Sequence, residues 1–146
     1  MIRKLAKTEY PRAVELSLAV FMECDRADYT EEGLETFKSF INNEQLMNEL
    51  TMYGAFCDHE LIGVMGSKKE GKHISLFFIK PMYHRKGIGR KLFDYAYASD
   101  GCNVTEITVN ASTYAVLFYE SLGFQSIGDA QCYQGLTSVP MKLTKQ

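Results

Sequence analysis

A short turn rich in glycine and cations, at residues 84–91, is the part of this sequence with the clearest chemistry. It reads His84-Arg85-Lys86-Gly87-Ile88-Gly89-Arg90-Lys91. Glycine lets the backbone come close to a ligand, and the N–H groups at the start of a helix bind phosphate oxygens. Cations at that end of a helix are unfavourable by about 0.3–1 kcal/mol each unless an anion lies beside them. The pattern therefore predicts a site for a phosphate-containing ligand.

Two better-known phosphate motifs do not fit this turn. A P-loop requires Gly-Lys followed by Ser or Thr, and no such run is present. A Rossmann fingerprint requires a third small residue where this chain has Leu92. The remaining alternative to a phosphate site is an ordinary solvated basic surface, and a strand before the turn with a helix after it would argue against that.

Residues 73–79, ahead of the turn, predict a strand at the centre of a sheet. Both faces of this extended segment are apolar, with Ile74, Leu76 and Phe78 on one and Phe77 and Ile79 on the other. A strand of this kind is covered on each side. Pro81 then ends it, because proline has no N–H to donate to a neighbouring strand.

Periodicity predicts the other elements. After the turn, a helix that ends near Gly101 is predicted. The apolar residues at helical spacing that indicate it are Ile88, Leu92, Tyr95 and Ala96. Thr8 and Thr30 are predicted N-caps of two earlier helices, and a further helix is predicted at 112–121. A short helical turn is predicted near 46–50. The predicted strands are 1–6, 52–57, 61–67, 104–109 and two more around a loop at 128–135.

The turn resembles the acyl-CoA loop of the GCN5-related N-acetyltransferases, the GNAT family. The family pattern, Gln/Arg-x-x-Gly-x-Gly/Ala after a strand, is matched by residues 84–89, although His84 departs from the usual first residue. A second segment, residues 107–124, resembles the later strand and helix of the family. It ends in Tyr119-Glu-Ser-Leu-Gly-Phe124, which fits the family ending Tyr-Glu-x-Leu-Gly-Phe. The resemblance covers residues 53–124 well and the first fifty residues in outline.

The resemblance implies an α/β fold made of one GNAT-like domain over residues 1–146. Its sheet would be twisted, mixed and mostly antiparallel, with helices on its faces. The fourth and fifth strands would run parallel and splay apart, and the cofactor would lie in the gap between them. The predicted order of strands and helices agrees with this arrangement.

The resemblance also implies the roles of individual residues. The residues implied to bind the cofactor, acetyl-CoA, are Phe78, Ile79, His84, Arg85, Lys86, Gly87, Ile88, Gly89, Arg90, Asn110 and Ser112. Tyr119 matches the residue that protonates the departing thiolate, and packing on a helix face is its alternative role. His73 lies where several relatives have a glutamate general base, and its alternative role is that of a half-buried strand histidine. No metal site is predicted.

The implied activity is transfer of an acetyl group to the amine of a small molecule or peptide, by direct attack on the thioester. In relatives the first helix–helix turn helps to form the acceptor pocket. Here that turn is acidic and contains Glu23, Asp25, Asp28, Glu31 and Glu32. Negative charge suits a cationic amine, although a solvated acidic turn is the commoner explanation of such residues. The alternative function is a non-catalytic sensor that binds acyl-CoA.

Composition limits the other classes of function. The chain has 146 residues, which predicts one domain, and a net charge of −2, which gives no general attraction to nucleic acid or anionic membranes. No segment approaches eighteen consecutive apolar residues, and the N-terminus lacks the apolar run of a signal peptide. Its four cysteines are widely spaced, as expected of reduced thiols. We therefore expect a cytoplasmic protein, monomeric or homodimeric, without nucleic-acid or membrane partners.

Overall fold

Alternating apolar residues and helical periodicity produce eight strands and five α-helices in the computed structural model, which describes residues 1–99 and 103–145. The strands are β1 (Ile2–Lys4), β2 (Thr51–Cys57), β3 (Glu60–Lys68), β4 (His73–Ile79), β5 (Glu106–Ala111), β6 (Gln125–Ser126), β7 (Gln131–Tyr133) and β8 (Leu136–Thr144). The helices are α1 (Tyr10–Cys24), α2 (Glu31–Ile41), α3 (Glu44–Asn48), α4 (Ile88–Ser99) and α5 (Val116–Ser121). Among the described residues, none of these helices is both long and apolar enough to cross a membrane.

The sheet has the order β1-β2-β3-β4-β5-β8-β6, and β7 pairs with β8. Its pairs are antiparallel except for β4 and β5, which run parallel. Helices α1, α2 and α3 cover one face, where they pack on residues such as Met52, Val64 and Leu76. Helices α4 and α5 cover the other face and pack on residues such as Met65 and Ile107. The predicted mixed sheet flanked by helices is confirmed, with β4 at its centre.

A β-bulge in β4 changes which face its side chains occupy. The pairing with β3 steps from Gly66↔Leu76 to Ser67↔Ile74, so Ser75 is the extra residue. Leu76 therefore packs with α1 while Ile74 packs with α4 and α5. The prediction that Ile74 shares a face with Leu76 and Phe78 was wrong, because strict alternation does not survive an inserted residue.

The parallel strands β4 and β5 separate soon after they begin. The described pairs between them are His73↔Thr108 and Ile74↔Val109. The strands diverge just beyond the bulge, so the rest of β4 faces a gap rather than a neighbouring strand. The predicted splay of the fourth and fifth strands is confirmed, and it is this gap that provides room for a ligand.

Several predicted element boundaries are confirmed and others are wrong. Thr30 caps α2, because its Oγ1 accepts from the Gly33 N–H at 3.2 Å. Thr8 is not an N-cap, since it lies in a 3₁₀ turn at Lys7–Glu9 and α1 begins after it. Tyr95 is 41% exposed, and the buried aromatic residues of α4 are Phe93 and Tyr97. The predicted apolar face did not include these two residues, because its positions were assigned by helical spacing from Ile88 at the turn.

The C-terminal half differs from prediction mainly in its loops. β5 begins two residues later than the predicted start at Val104. Ser112 caps a 3₁₀ turn at Thr113–Ala115 that precedes α5, rather than the α-helix itself. The predicted loop at 128–135 contains β7, whose turn at Gln134-Gly135 leads into β8. Gly101, the predicted helix end, lies outside the described residues.

Candidate active site

The gap between β4 and β5 widens into two adjoining cavities. We call the first the loop chamber; it has a volume of about 550 Å³ and lies beside the glycine turn and α5. We call the second the acidic chamber; it has a volume of about 460 Å³ and lies between α1, α2 and the β7–β8 hairpin. The residues that line both are Asp25, Phe77, Phe78, Ser112, Ala115 and Tyr119. These six residues form the junction.

The backbone of the glycine turn is exposed to the loop chamber. Arg85 has φ +62° and Gly87 has φ +79°, so the chain turns sharply before α4 begins. A Cβ added at Gly87 would have no atom within 4 Å, whereas one added at Gly89 would lie 2.9 Å from the Phe118 ring. Gly87 therefore leaves open space in front of the backbone, and Gly89 permits close packing between α4 and α5.

Side chains fix this turn to the rest of the fold. The Nε2 atom of His84 lies 2.6 Å from the carbonyl oxygen of Ile79, and its Nδ1 lies 3.1 Å from the Tyr114 hydroxyl. A neutral ring that donates from Nε2 would accept from Tyr114 at Nδ1. Arg90 donates from Nη2 to the carbonyl oxygen of Ser121 at 2.5 Å. These bonds tie the turn to the end of β4 and to α5.

Tyr119 lies at the junction, on α5. It is 4% exposed, and its ring contacts Phe77 and Phe124 edge to face, with centroids 6.0 and 5.3 Å apart. Burial, followed by the negative charge of Asp25, raises the pKa of the Tyr119 phenol far above its usual value. The phenol therefore holds its proton throughout the neutral pH range.

The acidic turn divides into an exposed part and a buried part. Glu23, Glu31 and Glu32 are exposed. Asp25 and Asp28 are only 7% and 5% exposed, so the interpretation of the whole turn as solvated was wrong for these two. They are three residues apart across a 3₁₀ turn at Arg26–Asp28, a spacing that places both side chains on one face. That spacing was the signal available in the sequence.

The two buried carboxylates have different partners. Asp28 accepts from the N–H and the Oγ1 of Thr113, at 2.8 and 2.6 Å. Asp25 lies near Ser112, whose side chain lowers the pKa of the Asp25 carboxyl, and it lines both chambers. Burial, with a contribution from the charge of Asp28, raises the pKa of Asp25 to about 6. Asp28 thus ties the acidic turn to the 3₁₀ turn that precedes α5. Asp25, in contrast, is a carboxyl group at the junction with a pKa close to neutral pH.

Aromatic side chains form much of the wall of the acidic chamber. The wall includes Phe21, Phe37, Phe40, Phe77, Phe78, Tyr133 and Leu136. Phe21 and Phe37 stack with their ring centroids 4.0 Å apart. Within the described part of the chain, the residues lining this chamber include no lysine, arginine or histidine. The chamber therefore combines aromatic walls with uncharged polar side chains, such as Asn110 and Gln131, and its described charged lining is the carboxyl groups of Asp25 and Asp28.

The β7–β8 hairpin closes the acidic chamber by docking on α2. The N–H of Thr30 donates to the carbonyl oxygen of Gly135 at 3.1 Å, and Thr36 Oγ1 donates to that of Gln134 at 2.8 Å. A Cβ added at Gly33 would lie 2.1 Å from the Gly135 carbonyl oxygen. Two glycines are needed at this contact because backbone packs directly on backbone.

Most of the predicted cofactor residues line the loop chamber. These are Phe78, Ile79, His84, Arg85, Gly87, Ile88, Gly89, Arg90 and Ser112. Lys86 is not among the described residues lining it, and its Nζ lies 5.7 Å from the centroid of the Tyr83 ring. Asn110 lines the acidic chamber instead.

His73 is not brought to the junction. It begins β4 at the paired end of the splay, where its Nδ1 lies 2.8 Å from Thr108 Oγ1. Burial, and then the charges of Lys68 and Lys69, lower the pKa of its ring. His73 is absent from the described residues lining either chamber. The geometry gives no support to its predicted role as a base, and the predicted alternative, a half-buried strand histidine, matches its surroundings.

Comparison with protein families gives one match that spans most of the chain. The model of the acetyltransferase (GNAT) domain matches residues 25–145. No curated protein matches the chain in sequence.

Solved structures share the fold over almost the whole chain. A GCN5-related N-acetyltransferase from Rhodopseudomonas palustris has a TM-score of 0.83 and 19% identity, with 99% of this chain and 94% of that chain covered. The PaiA N-acetyltransferase from Thermoplasma acidophilum, solved with coenzyme A, has a TM-score of 0.78 and 22% identity, with 99% and 98% covered. An aminoglycoside 6'-N-acetyltransferase complexed with coenzyme A has a TM-score of 0.65 and 14% identity, with 99% and 96% covered. At these identities the likeness concerns the fold.

Proposed function

Because this chain belongs to the GNAT acetyltransferase family, we propose that it transfers an acetyl group from acetyl-CoA to the amine of a small molecule or peptide. One observation carries the proposal, namely that two chambers of opposite character meet at Tyr119. A cationic, backbone-lined chamber suits a phosphorylated donor, and an acidic chamber suits an amine acceptor. Reaction between two bound molecules requires such a junction.

The loop chamber fits the phosphates of coenzyme A. Open space in front of Gly87 leaves room for phosphate oxygens beside the backbone, and Arg85 and Arg90 line the same chamber. Backbone N–H groups of residues 85–90, at the positive end of α4, would hold the pyrophosphate. Phe78 and Ile79, on the free side of β4, would contact the pantetheine arm. Two of the neighbouring structures were solved with coenzyme A.

Tyr119 is the proposed acid of the reaction. When bound, acetyl-CoA supplies an acetyl group activated as a thioester. The Tyr119 phenol retains its proton at neutral pH, so it can give that proton to the sulfur as the thioester bond breaks. Its burial between Phe77 and Phe124 also keeps bulk water away from the junction.

A non-catalytic sensor of acyl-CoA is the competing function. A sensor would need the loop chamber alone. A sensor would have no use for a second, acidic chamber that meets the loop chamber at Asp25 and Tyr119. We therefore favour the enzyme. A cytoplasmic location and a monomeric or homodimeric state stay predictions from the sequence.

Two measurements test the proposal in sequence. Isothermal titration calorimetry with coenzyme A and acetyl-CoA should detect binding, and both should raise the melting temperature of the protein. A panel of amines is then mixed with acetyl-CoA, and free thiol is followed over time with a blank that lacks amine. Amine-dependent thiol release is the expected result. Tight coenzyme A binding with no thiol release across small amines and peptides would favour the sensor, and no binding at all would overturn both functions.

A further inference from the structure

We propose that the acidic chamber binds a small cationic amine carried on an aromatic or similarly flat apolar body, and that Asp25 takes the proton this amine must lose before it reacts. The proposal rests on the proposed function and adds the class of acceptor and the base. Neither the family match nor the neighbouring structures assign these to the chain.

The charges lining the chamber favour a cation. Its described lining includes the carboxylates of Asp25 and Asp28 and no basic side chain. Two neighbouring carboxylates that are largely removed from water repel each other and lose solvation free energy. A bound ammonium group would offset that cost. An anionic or zwitterionic acceptor would bring a carboxylate close to them and would be disfavoured.

The walls of the chamber favour an aromatic body. Phe21 and Phe37 stack on each other, and Phe37 meets Phe78 edge to face at 5.9 Å between ring centroids. Tyr133, 68% exposed on β7, lies at the chamber with its ring available to a ligand. Aromatic rings contact other flat apolar groups favourably and attract cations over their faces. A volume of about 460 Å³ accommodates a small molecule.

Hydrogen bonds distinguish Asp25 from Asp28 as the base. Both oxygens of Asp28 are engaged by Thr113, one by the backbone N–H and the other by the hydroxyl. Asp25 is not engaged by Thr113 in this way, and it borders both chambers whereas Asp28 borders only the acidic one. Asp25 is thus the carboxylate at the point where the two substrates meet. Asp28 acts as a positioning residue that holds the turn.

Asp25 and Tyr119 each handle one of the two protons that the ammonium group loses during the transfer. The ammonium group gives one proton to the Asp25 carboxylate, and the freed nitrogen lone pair forms the N–C bond to the acetyl carbonyl carbon. The C–S bond breaks, its electron pair goes to sulfur, and sulfur takes a proton from Tyr119. The nitrogen loses a second proton, which restores the Tyr119 phenol, and Asp25 passes the first proton to solvent. One free proton is therefore released per acetyl group transferred.

The electrostatic surroundings of Asp25 set the pH range of this step. The ionisable groups near it include Asp28 in the same turn, Cys24 at the end of α1 and Tyr119 on α5, and the loop chamber that it borders is also lined by His84, Arg85 and Arg90. Burial, and then the negative charge of Asp28, raise the pKa of the Asp25 carboxyl, whereas Ser112 lowers it. Its carboxylate form prevails above about pH 6. Binding of a cationic amine should therefore strengthen as the pH rises through that value.

The test measures amine binding first without acetyl-CoA, so that it does not depend on turnover. The probes are 2-phenylethylamine, the uncharged 2-phenylethanol and the aliphatic polyamine spermidine, titrated at about pH 5 and about pH 8. We expect 2-phenylethylamine to bind about tenfold or more tightly at the higher pH, and more tightly than either other probe. Equal binding of 2-phenylethylamine and 2-phenylethanol, or tighter binding of spermidine, would overturn the acceptor class.

The Asp25→Asn variant tests the carboxylate, and Glu120→Gln, which removes an exposed charge from α5, is the matched control. Asp25→Asn should lose amine affinity about tenfold or more and the pH dependence with it, while Glu120→Gln behaves as wild type. With a working acceptor, kcat/KM of Asp25→Asn should fall roughly 10²–10⁴-fold and lose its limb near pH 6. An unchanged pH profile in Asp25→Asn would remove Asp25 as the base.

The outcomes separate this proposal from the proposed function. Coenzyme A affinity serves as the folding check, since Asp25→Asn leaves the glycine turn intact. If that variant fails to fold, the pH dependence of 2-phenylethylamine binding to the wild type still decides the question. Turnover of peptide amines without any binding of 2-phenylethylamine would keep the acetyltransferase and overturn this acceptor. Failure to bind coenzyme A would instead overturn the proposed function.

Discussion

The two chambers that meet at Tyr119 are built in opposite ways. The turn side of the loop chamber is one continuous stretch, residues 83–90, which presents backbone and cations, and the other walls of that chamber come from α1, β4 and the segment 112–121. The acidic chamber is lined by side chains from residues as far apart as Phe21 and Ser138. A phosphate group is recognised by any backbone that can approach it, whereas an acceptor is recognised by particular side chains. The first chamber can therefore be shared across a family while the second distinguishes its members.

The difference extends to what each chamber needs in order to stay in shape. The turn is fixed by a bond between His84 and the Ile79 carbonyl, five residues away, and by a bond from Arg90 to the end of α5. The acidic chamber is held by contacts between distant segments, such as Gly33 with Gly135 and Asp28 with Thr113. Mutations should consequently separate the two functions, and the following experiments are ordered by the size of the effect expected.

The largest effect is expected at the junction, in Tyr119→Phe. This change deletes the proton donor and keeps the ring against Phe77 and Phe124. Turnover should fall roughly 10²–10⁴-fold, while calorimetry should give wild-type affinity for acetyl-CoA and for the amine. Because the hydroxyl belongs to neither chamber alone, binding on both sides is the control. Full activity in this variant would make Tyr119 a packing residue and return the sensor as a serious candidate.

The next effect should be confined to the acidic chamber. Gly33→Ala places a Cβ 2.1 Å from the Gly135 carbonyl oxygen, so the β7–β8 hairpin must shift. We expect KM for the amine to rise about tenfold and the free energy of unfolding to fall by about 1–3 kcal/mol, with coenzyme A affinity unchanged. Gly128→Ala is the matched control, since its Cβ would lie at an ordinary 3.4 Å from Pro140. Equal weakening of both ligands would mean that the chambers are not independent.

The next effect, without a comparable expected loss in amine binding, should be confined to the loop chamber. Gly87 has φ +79°, a conformation that costs an alanine about 1–2 kcal/mol. Gly87→Ala should therefore weaken coenzyme A binding about tenfold, through backbone strain and through a methyl group in the space beside the turn. Amine binding measured without acetyl-CoA should stay as in the wild type. An affinity for coenzyme A that did not change would show that the ligand does not approach this backbone.

The smallest effect is expected at His73, outside both chambers. His73→Ala removes the contact with Thr108 and should lower the free energy of unfolding by about 1 kcal/mol. The pH profile of kcat/KM should be that of the wild type, because the ring does not reach the junction. Loss of an acidic limb in this variant would restore His73 as the base and contradict the assignment to Asp25.

The sequence by itself determined the features that depend on short stretches of chain. Glycine and proline positions, apolar periodicity and the two motifs predicted the central strand, the phosphate-type turn, the Tyr119 helix and the family. Each of these follows from local backbone preferences or from a contiguous pattern of residues. Thr30 is an example, because an N-cap bonds only to the backbone three residues ahead.

Only the tertiary structure decided which polar residues are buried and which side chains meet. The bulge at Ser75 moves Ile74 to the opposite face, and the 3₁₀ turn turns Asp25 inward while Glu23 stays in water. The sequence pointed to His73 as the candidate base and to Asp25 only as part of an acidic turn. The pKa of Asp25 is raised to about 6 mainly because segments distant in sequence remove it from water, with a contribution from the charge of Asp28 three residues away. Desolvation of this kind depends on the packing of the whole fold, and no window of sequence contains it.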